Sequence, residues 1–283
     1  MTSLAGRLAL VTGASRGIGV FIAEALARES MRLVLVARSR DQLEEVRSRI
    51  GGTEVSCYAL DLSDRRALED LVPKVAERHG DLEVLVNNAG LQRTEFYEGA
   101  ELDLIEQVIA VNLTAPLLLS RLVLPGMLAR DSGHIVQVSS IAGLGPAAFD
   151  EVYGSTKHGL VGFSRSLRAS LKTRGSNVSA SVICPGHVSD VGLHARDAER
   201  FGVLRARGLG VSRPASVADA VVDAIRDDRG EVLVDPQPLR PLLSLGALFP
   251  GTLERAAAWL GANDYQYAIA KKRAQGEHDK TSR

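Results

Sequence analysis

Short β-rich runs, several of them continuously apolar, alternate along this chain with longer segments whose apolar residues recur every three or four positions. The runs fall at 8–12, 32–37, 54–60, 83–87, 133–139, 177–184 and 231–234, and the helical segments near 17–29, 40–50, 64–79, 101–130, 153–174 and 214–228. Strands that are apolar on both pleat faces must be covered on both sides. The alternation therefore predicts an α/β fold in three layers, a doubly wound, seven-stranded parallel sheet between helices. Asp64 and Pro214 stand where a carboxylate N-cap and a first-turn proline would start two of the helices. Strict alternation leaves no room for a second domain before residue 235, so 1–235 reads as one unit. Two segments break the pattern. Residues 187–213 form an insertion containing Gly, Arg and Ser after the sixth strand. Residues 236–283 open with prolines and continue through an apolar helix-like stretch at 242–260, a helical extension expected to pack on the main unit.

Composition narrows the function classes. The 283 residues are 45% hydrophobic and 24% charged, with 34 Lys plus Arg against 34 Asp plus Glu. No global field draws such a chain to nucleic acid or anionic lipid. The 4% aromatic content also argues against a base-stacking surface. Cys57 and Cys184 lie in runs that read as central strands, where buried inert thiols are expected rather than a disulfide. No Cys–His cluster has zinc spacing, so no metal is expected. Arg7 interrupts the N-terminal segment, and the apolar stretch after it is only strand length, which predicts a cytoplasmic protein without a signal peptide.

The first strand runs into Thr12-Gly13-Ala14-Ser15-Arg16-Gly17-Ile18-Gly19 and then a helical segment. Glycines at such a junction let the backbone turn tightly and let a pyrophosphate approach the helix N-terminus. The spacing is T-G-x-x-x-G-x-G, and here the chain resembles the short-chain dehydrogenase/reductase family. The resemblance covers residues 5 to about 235. Further stations agree in order: Asp61-Leu62, Asn87-Asn88-Ala89-Gly90, Asn112, Ser140, Tyr153-Gly154-Ser155-Thr156-Lys157 and Pro185-Gly186. The resemblance implies a Rossmann fold and a nicotinamide dinucleotide held by Gly13, Ser15, Arg16, Gly17, Ile18, Gly19, Asp61, Leu62, Asn88, Pro185, Gly186 and Val188, with Tyr153 and Lys157 also touching it. It further implies that Asp61 accepts from the adenine amino group, though Asp61 would serve equally to cap the next turn, and that Asn88 lies near the adenosine ribose.

The second strand ends Val36-Ala37-Arg38-Ser39, with no acid before Asp41. A carboxylate there would bind the ribose hydroxyls of NAD and repel a 2′-phosphate. Arg38 offers that phosphate a cationic fork, and Arg16 stands within the glycine loop to assist. NADP(H) is the expected cofactor.

Tyr153 and Lys157 are four apart on a predicted helix and so share one face. A free phenol titrates near pH 10, and a nearby ammonium is expected to bring it down. Tyr153 would then exchange a proton with a carbonyl oxygen, as the family's acid/base does. The resemblance gives Lys157 a second role on the nicotinamide ribose and gives Asn112 a water linking Lys157 to solvent. Ser140 precedes Tyr153 by the family's thirteen positions and would hydrogen-bond the substrate oxygen. Ser139 is its rival, and strand alternation allows only one to serve. After Pro185-Gly186 the family places a threonine for the nicotinamide amide, where this chain has His187-Val188-Ser189-Asp190.

Segment 187–213 corresponds to the family's substrate lid. Leu144, Pro146, Phe149, Val191, Leu193 and Phe201 predict a largely apolar pocket, with Asp150 and Glu151 nearby. The expected activity interconverts a carbonyl and an alcohol on a small apolar substrate. A cofactor-binding sensor or scaffold on the same fold is the alternative, although such relatives typically lack the Tyr/Lys pair. The tail at 241–250 would cap the pocket, pack in an oligomer or touch a membrane. The resemblance implies a homodimer or homotetramer built on the helices at 101–130 and 153–174.

Overall fold

The computed structural model describes residues 3–189, 191, 200–203, 210–249, 251, 255 and 263–276. The main sheet takes strands β1 (Leu8–Thr12), β2 (Arg32–Ala37), β3 (Val55–Ala59), β4 (Leu82–Asn87), β5 (His134–Val138), β6 (Ser179–Pro185) and, last in the chain, Glu231–Val234. Its order places β3 at one edge, then β2, β1, β4, β5, β6 and Glu231–Val234 at the other, with every neighbouring pair parallel. The expected seven-stranded, doubly wound Rossmann sheet is therefore present. The order reverses between β1 and β4, and in such sheets ligands bind outside the carboxyl ends of the strands at that switch point.

Strand alternation divides the core in two. In β1 and β2, Ala9, Val11, Leu33 and Leu35 face helix α1 (Ile18–Arg28), α2 (Arg40–Arg49) and the helix Pro214–Arg226. Leu8, Leu10, Val34 and Val36 face the opposite layer, α3 (Arg65–His79) and α5 (Ala115–Ala129). Side chains such as Leu10, Leu33 and Leu35 are at most 1% exposed, and each such burial contributes roughly 1.5–3 kcal/mol. Asp64 caps α3, accepting from the backbone N–H of Arg66 and Ala67, and Pro214 starts its helix.

Several expectations need correction. The segment at 101–130 is not one regular helix. It comprises α4 (Leu102–Ile109), a π turn at Ala110–Thr114 and α5. The continuous run Leu102–Ala129 is long and apolar enough to cross a membrane by length and composition, yet Leu119, Val123 and Met127 are buried in the second core. Cys57 does not lie in a central strand: β3 is an edge, so Cys57 is half-buried while Cys184 is buried. Both thiols are free, and burial pushes both pKa values up, that of Cys184 to about 12. Two short strands, β7 (His187–Val188) and β8 (Val211–Ser212), form a separate parallel pair that the apolar pattern does not reveal. They pin the two ends of segment 187–213.

The remaining described helices are α6 (Glu151–Thr173), α7 (the Pro214–Arg226 helix), α8 (Arg240–Leu248) and α9 (Asp264–Ala274). The predicted tail helix at 242–260 is seen as α8, and most of its later residues lie outside the described set. Tyr265 and Ile269 of α9 are buried against Phe201.

Candidate active site

A cavity of about 450 Å³ opens at the carboxyl ends of β1, β4, β5 and β6, a volume within the range of small-molecule and cofactor sites. Its floor is the glycine loop. Gly13 has φ 66°, and a Cβ there would lie 2.7 Å from Ala89 Cα. A Cβ at Gly19 would collide with the Gly13 carbonyl. Thr12 fastens this loop from beneath: its Oγ1 accepts from the backbone N–H of Asn88 at 3.0 Å and of Ala89 at 3.1 Å. Asn88 Nδ2 in turn donates to the carbonyls of Thr12 and Gly13. The Asn88 side chain thus clamps two strand ends together while lining the cavity beside Gly13, Ser15, Arg16, Gly17 and Ile18. Helix α1 has Gly17 at its N-cap, with no side-chain cap and no acidic residue in its first turn. Its N-terminal dipole is left to meet an anion. An open glycine floor and an uncompensated helix N-terminus fit the pyrophosphate of a dinucleotide.

The far end of the cavity is lined by Arg38, Ser39 and Gln42 on one side and Leu60, Asp61 and Leu62 on the other. Ser39 caps α2 by accepting from Gln42 N–H. Asp61 Oδ1 accepts from the Ser63 N–H at 2.8 Å and the Ser63 hydroxyl at 2.7 Å. These bonds hold its carboxyl below the usual range, with the charge of Arg38 adding to the effect. The turn-capping role considered for Asp61 is therefore the one its Oδ1 performs here.

The near end gathers Ser140, Tyr153 and Lys157 with Pro185, Gly186 and Val188. The choice between the two serines follows from contacts. Ser139 Oγ donates to the Lys157 carbonyl at 2.9 Å and serves the helix, whereas Ser140 Oγ donates to the Pro185 carbonyl at 3.5 Å and lowers the pKa of the Tyr153 phenol. Ser140 Oγ also accepts from Ala142 N–H and caps the 3-10 turn Ile141–Gly143. Tyr153 and Lys157 lie on the buried face of α6, with the Lys157 ammonium 5.4 Å from the Tyr153 ring centroid. That ammonium donates to the Val138 carbonyl at 2.9 Å. Burial lowers its pKa to about 8.

The phenol departs from expectation. Burial pushes its pKa above the ordinary value, the Ser140 hydrogen bond pulls it down, and the charges of Asp150 and Cys184 add to the rise. Desolvation is the largest of these causes, so the shift runs opposite to the one expected from a nearby ammonium, and Tyr153 holds its proton at neutral pH.

Asn112 sits in the π turn and is 0% exposed. Its Oδ1 accepts from Leu91 N–H and its Nδ2 donates to Leu91 O, both at 2.7 Å, with a further bond to Thr156 Oγ1 at 3.2 Å. A Cβ at Gly90 would lie 3.7 Å from both Asn112 Oδ1 and Lys157 Nζ, so the two side chains converge over that glycine.

The substrate wall differs from the residues expected. Of the five apolar candidates among the described residues only Val191 lines the cavity, joined by Leu91, Gln92 and Val111. Leu144 packs with Val161 and Val182, Pro146 is exposed, Phe149 stacks on Phe96 and Tyr267, and Phe201 is buried against α9. Leu193 and Asp190 lie outside the described residues. Leu91 and Gln92 directly follow Asn87-Asn88-Ala89-Gly90, and that adjacency was the available signal for them. Among the described residues no cluster of His, Cys, Asp or Glu could hold a metal ion.

Comparison with known proteins places this geometry. Residues 7–200 match the short chain dehydrogenase family. A ketoacyl reductase of Nostoc sp., HetN, is 35% identical over 282 residues, covering 97% of this chain and 96% of that protein. The crystal structure of a metagenomic short-chain oxidoreductase in complex with NADP superposes with TM-score 0.70 at 35% identity, covering 83% of this chain and all of that one. A Burkholderia phymatum short-chain dehydrogenase/reductase in complex with NAD gives TM-score 0.76 at 26% identity, over 87% of this chain and 94% of that one.

Proposed function

Because the chain belongs to the short-chain dehydrogenase family of oxidoreductases, we propose that it is an NADP(H)-dependent enzyme interconverting a carbonyl and an alcohol on a largely apolar substrate. The observation that carries this reading is the convergence of Ser140, Tyr153 and Lys157 on one wall of a cavity whose floor is the glycine loop. When bound, the dinucleotide supplies or receives the hydride at the substrate carbon. Tyr153 Oη gives its proton to the carbonyl oxygen, and Ser140 Oγ donates a hydrogen bond where negative charge develops there. Lys157 Nζ keeps a positive charge beside the phenol below about pH 8, favouring the phenolate left after proton transfer. Asn112 holds Leu91 and orders the wall opposite.

Two further features support the reductive direction and the cofactor. The buried phenol carries the proton that reduction consumes, and the charge left on its oxygen after transfer is met by Lys157 and Ser140. Solved relatives carry NADP or NAD, so the cofactor assignment for this chain rests on Arg38 and on the lack of an acid at the end of β2. The ketoacyl reductase relative spans nearly the whole chain and makes a ketoacyl compound the first substrate to try. We place the enzyme in the cytoplasm, as a homodimer or homotetramer joined through α4, α5 and α6.

The test is NADPH oxidation over a panel of ketoacyl esters and apolar ketones, with Tyr153→Phe alongside. Loss of the proton donor should lower kcat by about 10²- to 10⁴-fold with NADPH binding retained. Equal turnover by both proteins would refute the assignment of Tyr153.

A further inference from the structure

Asp150 stands at the N-cap of α6 yet does not cap it. A cap carboxylate ordinarily accepts from N–H groups of its own first turn. Here Oδ2 accepts from Gln92 Nε2 at 2.9 Å and Oδ1 from the Thr94 hydroxyl at 2.8 Å, across to the segment that follows β4. Asp150 is 4% exposed and Thr94 0%. A carboxylate buried against neutral donors is costly to keep charged. Burial pushes its pKa up to about 6, while the two hydrogen bonds oppose that rise; Glu151 adds to it and Arg273 works against it.

The preceding residue reinforces the same junction. Phe149 takes φ 63°, a left-handed conformation unfavourable for a bulky side chain. It is held there from three sides. Its carbonyl accepts from Glu95 N–H at 3.0 Å, its N–H donates to Glu151 Oε1 at 3.1 Å, and its ring packs on Phe96 and Tyr267 with centroids 5.9 and 5.6 Å away. Tyr267 belongs to α9. One and a half turns further along that helix, Arg273 Nε donates to the Thr94 carbonyl at 2.9 Å. The Arg273 guanidinium also lies 4.9 Å from the centroid of the Phe201 ring, and Lys272 donates to the Phe201 carbonyl at 2.8 Å.

We infer that Asp150 is a positioning residue for Tyr153 and that Arg273 holds the segment to which Asp150 is tied, which makes the C-terminal helix a working part of the reaction site. Asp150 lies one helical turn before Tyr153, so a shift of the junction displaces the phenol. The segment it grips carries Gln92, on the cavity wall, and adjoins Leu91, which Asn112 holds. Both walls of the substrate space are thereby referred to one buried carboxylate. The inference rests on the reading of Tyr153 as proton donor.

The test uses the full chain as wild type, Asp150→Ala, Asp150→Asn and Arg273→Ala. Three readouts are taken: kcat and KM with ethyl acetoacetate, NADPH affinity by nucleotide fluorescence, and amide hydrogen exchange over residues 91–96 and 149–154. Asp150→Ala should lower kcat about tenfold or more, since small misplacements of reacting groups are costly, with NADPH affinity held within about twofold. Exchange should quicken in both segments. Asp150→Asn accepts from Gln92 and donates to the Thr94 hydroxyl, and should recover most of kcat. Arg273→Ala should quicken exchange over 91–96 and lower kcat in the same sense. Unchanged exchange in Asp150→Ala and Arg273→Ala would overturn the inference whatever the turnover. So would an unchanged kcat, or a loss of NADPH affinity in proportion to kcat. If wild type turns over no ketone, the proposed function fails instead, and exchange alone decides whether the two segments are coupled.

Discussion

Replacing Arg38 by Ala should weaken NADPH binding and leave NADH binding nearly untouched. Arg38 is exposed at the end of β2, on the rim of the cavity, where Ser39 and Gln42 flank it and Asp61 faces it. A hydrogen bond from a guanidinium to a phosphate is worth roughly 1.5–3 kcal/mol. That range corresponds to about ten- to 150-fold in Kd. Exposure brings solvent and salt screening, with a Debye length of about 8 Å at physiological ionic strength, so about tenfold is expected there and more at low salt. A second effect acts in the same direction. Arg38 contributes to holding Asp61 ionised, and its removal takes that cation from beside the carboxylate. Arg38→Asp should go further and reverse the preference, since the new carboxylate repels a 2′-phosphate and accepts from ribose hydroxyls. Fluorescence titration of both nucleotides at two ionic strengths measures all of this. Equal weakening of NADPH and NADH, or an NADPH loss below about threefold at low salt, would refute the reasoning.

Three further outcomes follow from the buried groups of the site. Asn112→Ala leaves the N–H and carbonyl of Leu91 without their side-chain partners. Leu91 is only half-buried, so the expected loss is about 1–3 kcal/mol of unfolding free energy, read from urea denaturation; a change under about 0.5 kcal/mol would contradict it. Lys157 titrates near pH 8 in the fold, against an ordinary value of 10.5, because burial disfavours its charge. Between those values the unfolded chain carries the proton and the folded chain does not, so stability should rise with pH across that window. Reduction that relies on the ammonium should instead decline above about pH 8 in kcat/KM, and a profile flat to about pH 10 would remove Lys157 from that role.

Much of this molecule is legible in local pattern. Mostly apolar runs covered on both faces, alternating with helical periodicity, are enough to predict the parallel sheet, because burial on two faces leaves few polar positions in a strand. The glycine loop, the serine and the Tyr/Lys pair are recognisable by spacing, since each is a short-range requirement of a turn or a helix face. Pattern cannot rank strands within the sheet, and Cys57 therefore reads as central although β3 is an edge. Spacing to Tyr153 favours Ser140 over Ser139, but what Ser139 does instead emerges only when the carbonyl of Lys157, 18 residues away in the chain, arrives beside it. The direction of the Tyr153 shift depends on how completely the fold removes water around the phenol, which spacing to a lysine does not encode. The apolar residues expected around the substrate go mostly to other packing, because the cavity wall is chosen by which segments meet, and Leu91 and Gln92 meet there. Asp150 and Thr94 are 56 residues apart, and Thr94 and Arg273 are 179 apart. Periodicity and motif spacing determine which elements form and where a glycine turn lies; only the closed tertiary structure brings groups so distant in the chain within hydrogen-bond reach and packs the C-terminal helix against Phe149 and Thr94, at the junction that precedes Tyr153.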